Sequence, residues 1–371
     1  MERRVAARDI SSLVALAVLM AAFGLMSPEF LAPRNLAMLS IELSTTAVLA
    51  LGMFLVILCG HIDLSAGSGV GLVGGVASVL VFQHHWPAPA AMALAAVVGV
   101  AVWTAMGALV VRQKMPAFII TLGGLLMFKG LFWMVIRNST VPIVEGGGTN
   151  LYSMLTTYYL PPAAGWALGG AALALLAFAL RGRLTGAPEE REGALLELLA
   201  VGQAGALFIL LMNRYRGIPL PVLVLGAATA VVVTLAERTP FGRHLYAIGG
   251  NEEAAALSGV PVDARVIAAF GLMGAIVAVT GFMQTAYAGA STTTVGELME
   301  LDAVAACVIG GTSLKGGRGS ALRVLVGSLI MAVLLNGMTL MAVSPEVKLV
   351  ARGLVLTLAV WLDTKLGANS R

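Results

Sequence analysis

Twelve apolar runs, separated by Pro, Gly or charge, follow one another at roughly 10–26, 44–59, 65–83, 88–111, 117–136, 163–180, 195–212, 219–236, 264–287, 300–312, 321–342 and 347–362. A helix needs about 20 apolar residues to cross the hydrocarbon core of a bilayer, and most of these runs approach that length. Of the 371 residues, 59% are hydrophobic and only 11% are charged, whereas a water-facing chain carries about a quarter. Lipid must surround most of such a molecule. A dozen crossings consume roughly 240 residues, which leaves no room for a large soluble domain and excludes a self-contained ATPase, kinase or soluble enzyme. The fold class expected is an all-α polytopic membrane protein of about 12 transmembrane helices, forming a single transmembrane domain over residues 1–371.

The net charge of +4 comes from singly scattered Lys and Arg, which argues against a nucleic-acid partner and makes the charges topological markers instead. With a cytoplasmic N-terminus, Arg3, Arg4, Arg8, Arg112, Lys114, Arg181, Arg183, Arg191, Arg238, Arg243, Arg265, Lys315, Arg318, Arg323, Lys365 and Arg371 fall inside. Arg34, Arg137, Arg214, Arg216 and Lys348 fall outside, in line with the positive-inside bias. The basic start followed by the 10–26 run is expected to be an uncleaved first span, because no small-x-small site follows it. Residues 138–162 form the longest predicted external connection, with Gly146, Gly147 and Gly148 and with Tyr152, Tyr158 and Tyr159 suited to the membrane interface. Cys59 and Cys307 lie in apolar segments and suggest no disulfide framework.

Two runs are broken, by GHIDLS at 60–65 and by GGTSLKGGRGS at 310–320. Irregular backbone at membrane depth is tolerated only where protein buries it or where it lines a cavity, so a transport path fits better than a passive anchor. Gly69, Gly71 and Gly74 satisfy G-x-G-x-x-G but sit in an apolar helix with no preceding strand, which excludes a dinucleotide site. Gly67, Gly71 and Gly75, four residues apart, instead line one helix face for close packing. Gly311 and Gly316 have the spacing that opens a phosphate loop, but Gly317 stands where Lys is required. His61, His84, His85 and His244 offer no metal-ligand spacing, no G-x-S-x-G elbow occurs, and no catalytic residues are expected.

The stretch 239–265 lies on the predicted cytoplasmic side. Asn251 can cap a helix whose first turn holds Glu252 and Glu253, favoured there by the dipole, and Gly259 with Pro261 ends it. Ala254, Ala255, Ala256 and Leu257 make this helix of about two turns small and apolar enough for a partner's groove. A docking helix and a plain connector fit this geometry equally.

GHIDLSAGSGVGL at 60–72, FGRHLYAIGGNEEAAALSGVPV at 241–262, ELDAVAACVIGGTSLKGGRGS at 300–320 and VARGLVLTLAVWLD at 350–363 resemble, in order, the signature segments of permease subunits of bacterial ATP-binding-cassette (ABC) sugar importers of the ribose and xylose type. The resemblance implies the ABC importer permease fold in the bacterial inner membrane, with both termini cytoplasmic, and a second permease copy as homodimer partner. It implies a separate ABC ATPase that holds the ATP and Mg, with no cofactor on this chain, and a periplasmic sugar-binding protein that delivers the cargo. Gly249, Gly250, Asn251, Glu252, Glu253, Ala254, Ala255, Leu257 and Gly259 then carry over as the ATPase-coupling segment. The runs at 163–180 and 195–212, joined by RGRLTGAPEEREG, look like an additional hairpin (163–212) similar to the longer, xylose-permease-like branch. Branched-chain amino-acid or other small-solute import, and ion-coupled secondary transport, are the competing functions.

Polar residues inside membranes are costly and often functional. Asp63 and Ser65 follow the first break and can cap the next helix or act in gating. Glu300 and Asp302 open the second broken segment, with Lys315 and Arg318 as internal or inter-subunit partners. Gln284, Asn336 and Thr280 are candidates to hydrogen-bond a passing sugar or a neighbouring helix.

Overall fold

A computed structural model of the chain describes residues 2–144 and 148–368. Gly146 and Gly147 of the long connection and the terminal Arg371 lie outside the described residues. The helices in chain order are α1 (Glu2–Met26), α2 (Pro33–Leu58), α3 (Ala66–Phe82), α4 (Ala88–Arg112), α5 (Ala117–Val135), α6 (Leu151–Thr157), α7 (Pro162–Ala179) and α8 (Arg181–Leu184). They continue with α9 (Pro188–Asn213), α10 (Leu220–Val233), α11 (Pro240–Gly250), α12 (Glu252–Leu257), α13 (Val262–Ala288), α14 (Met299–Ile309), α15 (Ala321–Leu340) and α16 (Pro345–Ala368). Each of the twelve apolar runs falls on one of these helices, eight of which are long and apolar enough to cross a membrane. The protein is therefore an all-α multi-pass membrane protein.

Five helices open on a proline: Pro33, Pro162, Pro188, Pro240 and Pro345. Proline lacks the N–H that a first turn cannot use and already has a helical φ, so it starts a span without cost. At the centre stands α2, whose most apolar stretch is 83% buried, and α10, α13, α14 and α15 pack around it. Leu49, Met53, Phe54 and Ile57 of α2 join Val70, Phe270, Met273 and Val277 in one apolar cluster. By contrast α7 and α9 are only 6% and 11% buried over the same measure. They pack on each other, with an Arg183–Glu197 ion pair of 2.8 Å at the α8 turn, and α9 attaches to α2 through Ala37, Ile209 and Met212.

One apolar run falls on a helix too short to span. α14, with 11 residues, reaches about 16 Å, roughly half the hydrocarbon thickness. It descends beside α15, to which the irregular loop 310–320 returns the chain. This is a discontinuous segment, and the broken stretch between α2 and α3 is another.

The long connection after α5 is folded down onto the helices. Strand β1 (Val141–Pro142) pairs antiparallel with β4 (Ala290–Ser291), and β2 (Tyr159–Leu160) with β3 (Ile218–Pro219). Between β1 and β2, a capping box of Asn150 and Ser153 starts α6. The interfacial placement expected for Tyr152 is corrected here. Its ring is fully buried, 5.8 Å from Phe282 in an edge-on contact, and its hydroxyl donates to the Gly74 carbonyl at 2.9 Å. Tyr158 is exposed and Tyr159 half-buried. An aromatic with one polar tip can be sunk into a helix bundle wherever a close backbone carbonyl takes that tip.

This topology puts Thr149 and Ser258 on opposite membrane faces. A membrane-impermeant maleimide should label Thr149→Cys in intact spheroplasts and Ser258→Cys only after permeabilisation, against low background because native Cys59 and Cys307 are buried.

Candidate coupling and translocation site

Thr239 starts α11 by accepting the Gly242 N–H on its hydroxyl, and Asn251 caps α12 by accepting the Ala254 N–H at 2.9 Å. The chain leaves α12 through Gly259 at φ +82°, a left-handed turn that glycine adopts without a side-chain penalty. Within α12 only Ala255 is buried; Glu252, Glu253, Ala254 and Ala256 are exposed, and Leu257 is 85% exposed. Asn251 and Gly259 on either side are exposed as well. Ala255 thus anchors a short helix that presents every other side to the outside.

What α12 rests on is a contact between backbones. The α2 helix stops at Leu58, whose carbonyl accepts the Gly317 N–H at 3.0 Å. Gly249, at the end of α11, lies against that same carbonyl and against Gly317, so a Cβ there would collide with both. A Cβ at Gly316 would lie 2.8 Å from the Gly249 Cα and from the Gly60 nitrogen. Gly316 and Gly317 adopt φ of +85° and +70°, which no β-branched residue tolerates. The Tyr246 hydroxyl donates to the Gly319 carbonyl at 3.0 Å, and burial raises its pKa, which keeps it a neutral donor. The loop carrying α12 and the two broken segments therefore meet at one end of the bundle.

A second group lies deeper. Asp63 is fully buried and accepts from the Ser65 N–H at 2.8 Å, from the Ser65 hydroxyl, and from the Trp103 indole N–H at 2.6 Å. The Ser65 side chain does not cap α3, as its sequence position suggested; its hydroxyl is given to Asp63. Three helical turns of α3 are cut away for neighbours. Gly67 makes room for the Glu300 carboxylate and the Gly296 carbonyl, Gly71 for the Val295 carbonyl and Phe132, and Gly75 for Phe132. Glu300 and Asp302 are buried at the start of α14.

Asp302 pairs with Arg352 of α16 (Oδ2–Nη2 3.2 Å), not with Lys315 or Arg318, which lie beyond the other end of α14. Of the 23 basic residues, 21 mark the expected inside or outside face; Lys129 and Arg352, both within apolar runs, do not. That was the signal for Arg352. Lys129 meets Glu297 at 3.3 Å on the surface. Asn336 lies far along the chain from this group, near the other end of α15, where it donates to Glu42 of α2. Gln284 is half-buried on α13 with no side-chain hydrogen bond to the described residues, and the Thr280 hydroxyl is buried without a partner among them.

A family model described as branched-chain amino acid transport system / permease component matches residues 35–360. The xylose transport system permease protein of Haemophilus influenzae is 39% identical over 95% of both chains. That of Escherichia coli K12 is also 39% identical, over 90% of this chain and 86% of its own. The chain belongs to the ribose/xylose family of ABC sugar permeases. The ribose import permease protein of Escherichia coli K12, 32% identical over 95% of this permease and 93% of its own length, lies in the same family. No solved structure matches the permease.

Two substitutions separate the backbone contact from ordinary loop structure. Gly249→Ala should cost the permease about 1–3 kcal/mol by overpacking, read as a lower thermal midpoint in detergent. Gly250→Ala, where an added Cβ meets nothing within 4 Å, should leave the midpoint unchanged. Arg352→Ala strands a buried carboxylate and should cost about 3–5 kcal/mol, and the double change Asp302→Asn with Arg352→Gln should recover a good part of it.

Proposed function

We propose that the permease is the membrane-spanning subunit of an ABC importer that carries a monosaccharide, a pentose such as xylose, from a periplasmic binding protein to the cytoplasm. Two copies form a central path in the bacterial inner membrane, with both termini on the cytoplasmic side. A separate ATPase subunit holds ATP and Mg²⁺ and docks on α12; this chain performs no chemistry of its own.

The observation that carries this reading is the seating of α12. An exposed, capped helix of six residues, anchored by Ala255, follows directly on Gly249 and Gly250 at the end of α11, and these two glycines lie against the ends of both broken segments. A push on α12 is passed through rigid backbone contact, with no flexible side chain between to absorb it. Close-packed interiors transmit strain in this way, and repacking of such contacts is how small displacements become alternating access. The xylose and ribose names of the relatives support the sugar, and 39% identity to the xylose permeases supports a pentose.

The two buried aspartates weigh against ion-coupled transport. Asp63 is held by three donors and Asp302 by Arg352, which leaves neither free to load and release a coupling ion.

Co-reconstitution of the permease with its ATPase and binding protein should give xylose uptake that requires ATP. Uptake that persists without the ATPase would overturn the mechanism, and uptake of leucine in place of xylose would reassign the cargo. Glu252→Lys or Ala255→Arg should leave membrane insertion intact and reduce uptake per ATP hydrolysed at least about tenfold, a loss of some 1.4 kcal/mol of coupling.

A further inference from the structure

At the end of the bundle opposite α12, four polar side chains from three helices form one hydrogen-bonded chain. Asn35 of α2 donates to the Asn336 side-chain oxygen at 2.9 Å, and Asn336 of α15 donates to Glu42 Oε2 at 3.2 Å. The Tyr287 hydroxyl, from the last turn of α13, donates to Glu42 Oε1 at 2.8 Å. Sixteen residues of α2 separate Glu42 from Leu58, which is about 24 Å along the helix axis.

The chain of bonds is not sealed inside the protein. Asn336 is buried, but Glu42 is half-buried and Tyr287 is 37% exposed. Lipid tails offer no hydrogen bonds, so a carboxylate and a phenol left open among the spanning helices call for water, a polar solute or polar protein beside them. Glu42 has room for about four acceptor contacts, of which two are filled. The Tyr287 hydroxyl, which donates its hydrogen bond to Glu42, keeps its lone pairs for accepting, and its ring offers a flat apolar face. An open carboxylate acceptor, a phenol oxygen and an aromatic face in one place suit a polyhydroxylated ring, whose hydroxyls both donate and accept and whose C–H face is apolar.

We propose that Glu42 and Tyr287, positioned by Asn336 and Asn35, form the site at which the permease receives the sugar. The proposal rests on the sugar-import reading above and adds the groups that touch the cargo. Glu42 accepts from two sugar hydroxyls, Tyr287 accepts from a third, and the pair is weak enough to release a solute that must move on. Asn336 and Asn35 hold the carboxylate in place without needing to touch the sugar.

The test is saturation-transfer-difference NMR titration of D-xylose onto the full-length permease, assembled with its ATPase in nanodiscs, in parallel with uptake by proteoliposomes that also contain the binding protein. Wild-type protein should show transfer to the xylose ring protons. Glu42→Gln and Tyr287→Phe should each raise the xylose dissociation constant about fivefold or more, the effect of losing one such hydrogen bond, while thermal midpoints stay close to wild type. Tyr287→Phe removes one oxygen from a partly exposed side chain, so it carries the test if Glu42→Gln fails to fold. A purely structural clamp would instead lower the midpoint and leave xylose affinity unchanged, which overturns the site. Wild-type protein that imports xylose yet shows no transfer also overturns the site alone. Wild-type protein that imports no sugar with both partners present overturns the import reading and the site with it.

Discussion

The carbonyl of Leu58, left without an intrahelical partner where α2 ends, is taken by the amide of Gly317, and the rest of the coupling end is arranged around that bond. A helix that stops at membrane depth exposes its last carbonyls to a medium that cannot solvate them. The chain answers by bringing in backbone from 259 residues further on, and backbone can come that close only if no side chains intervene. Gly249, Gly316 and Gly317 are the positions where they would. What satisfies a broken helix therefore also welds the α11–α12 loop to both broken segments.

The same constraint governs the charges deeper in the bundle. Burying a lone carboxylate costs far more than any packing gained around it, and each of the two aspartates meets that cost differently. Asp63 gathers neutral donors from Ser65 and Trp103, which ties the start of α3 to α4. Asp302 uses the Arg352 guanidinium, which ties the half-helix α14 to α16. In both cases a polar group at a helix break fixes a neighbouring span, so the irregular backbone is held on several sides while the peripheral hairpin α7–α9 is held on few.

Much of this was legible beforehand. Hydropathy located every span, because lipid forces apolar runs of fixed length, and the Asn251 cap with Gly259 gave the short helix from local rules alone. The breaks at 60–65 and 310–320 were visible as Gly and charge within apolar sequence. What the chain does not announce is which distant group answers each need. Nothing near Asp302 names Arg352, fifty residues away, whereas the nearer Lys315 and Arg318 lie beyond the other end of α14. No motif announces the Trp103 N–H on Asp63, and Tyr152 reads as an interfacial residue until Gly74 accepts its hydroxyl. Glycine spacing on α3 announced close packing, but the packing at Gly249 depends on three segments arriving together, which no single-segment pattern encodes.

The central claim is that α12 and the ends of the two broken segments move as one body when the ATPase closes. Pulsed electron–electron resonance between spin labels at Leu257 and Lys315, in the permease assembled with its ATPase, tests it most directly. In dimers labelled on one copy only, a rigid coupling end gives one narrow distance that is the same in nucleotide-free, ATP-trapped and ADP states. A distance that shifts or splits on ATP trapping, with α12 sliding against the 310–320 loop, would contradict it.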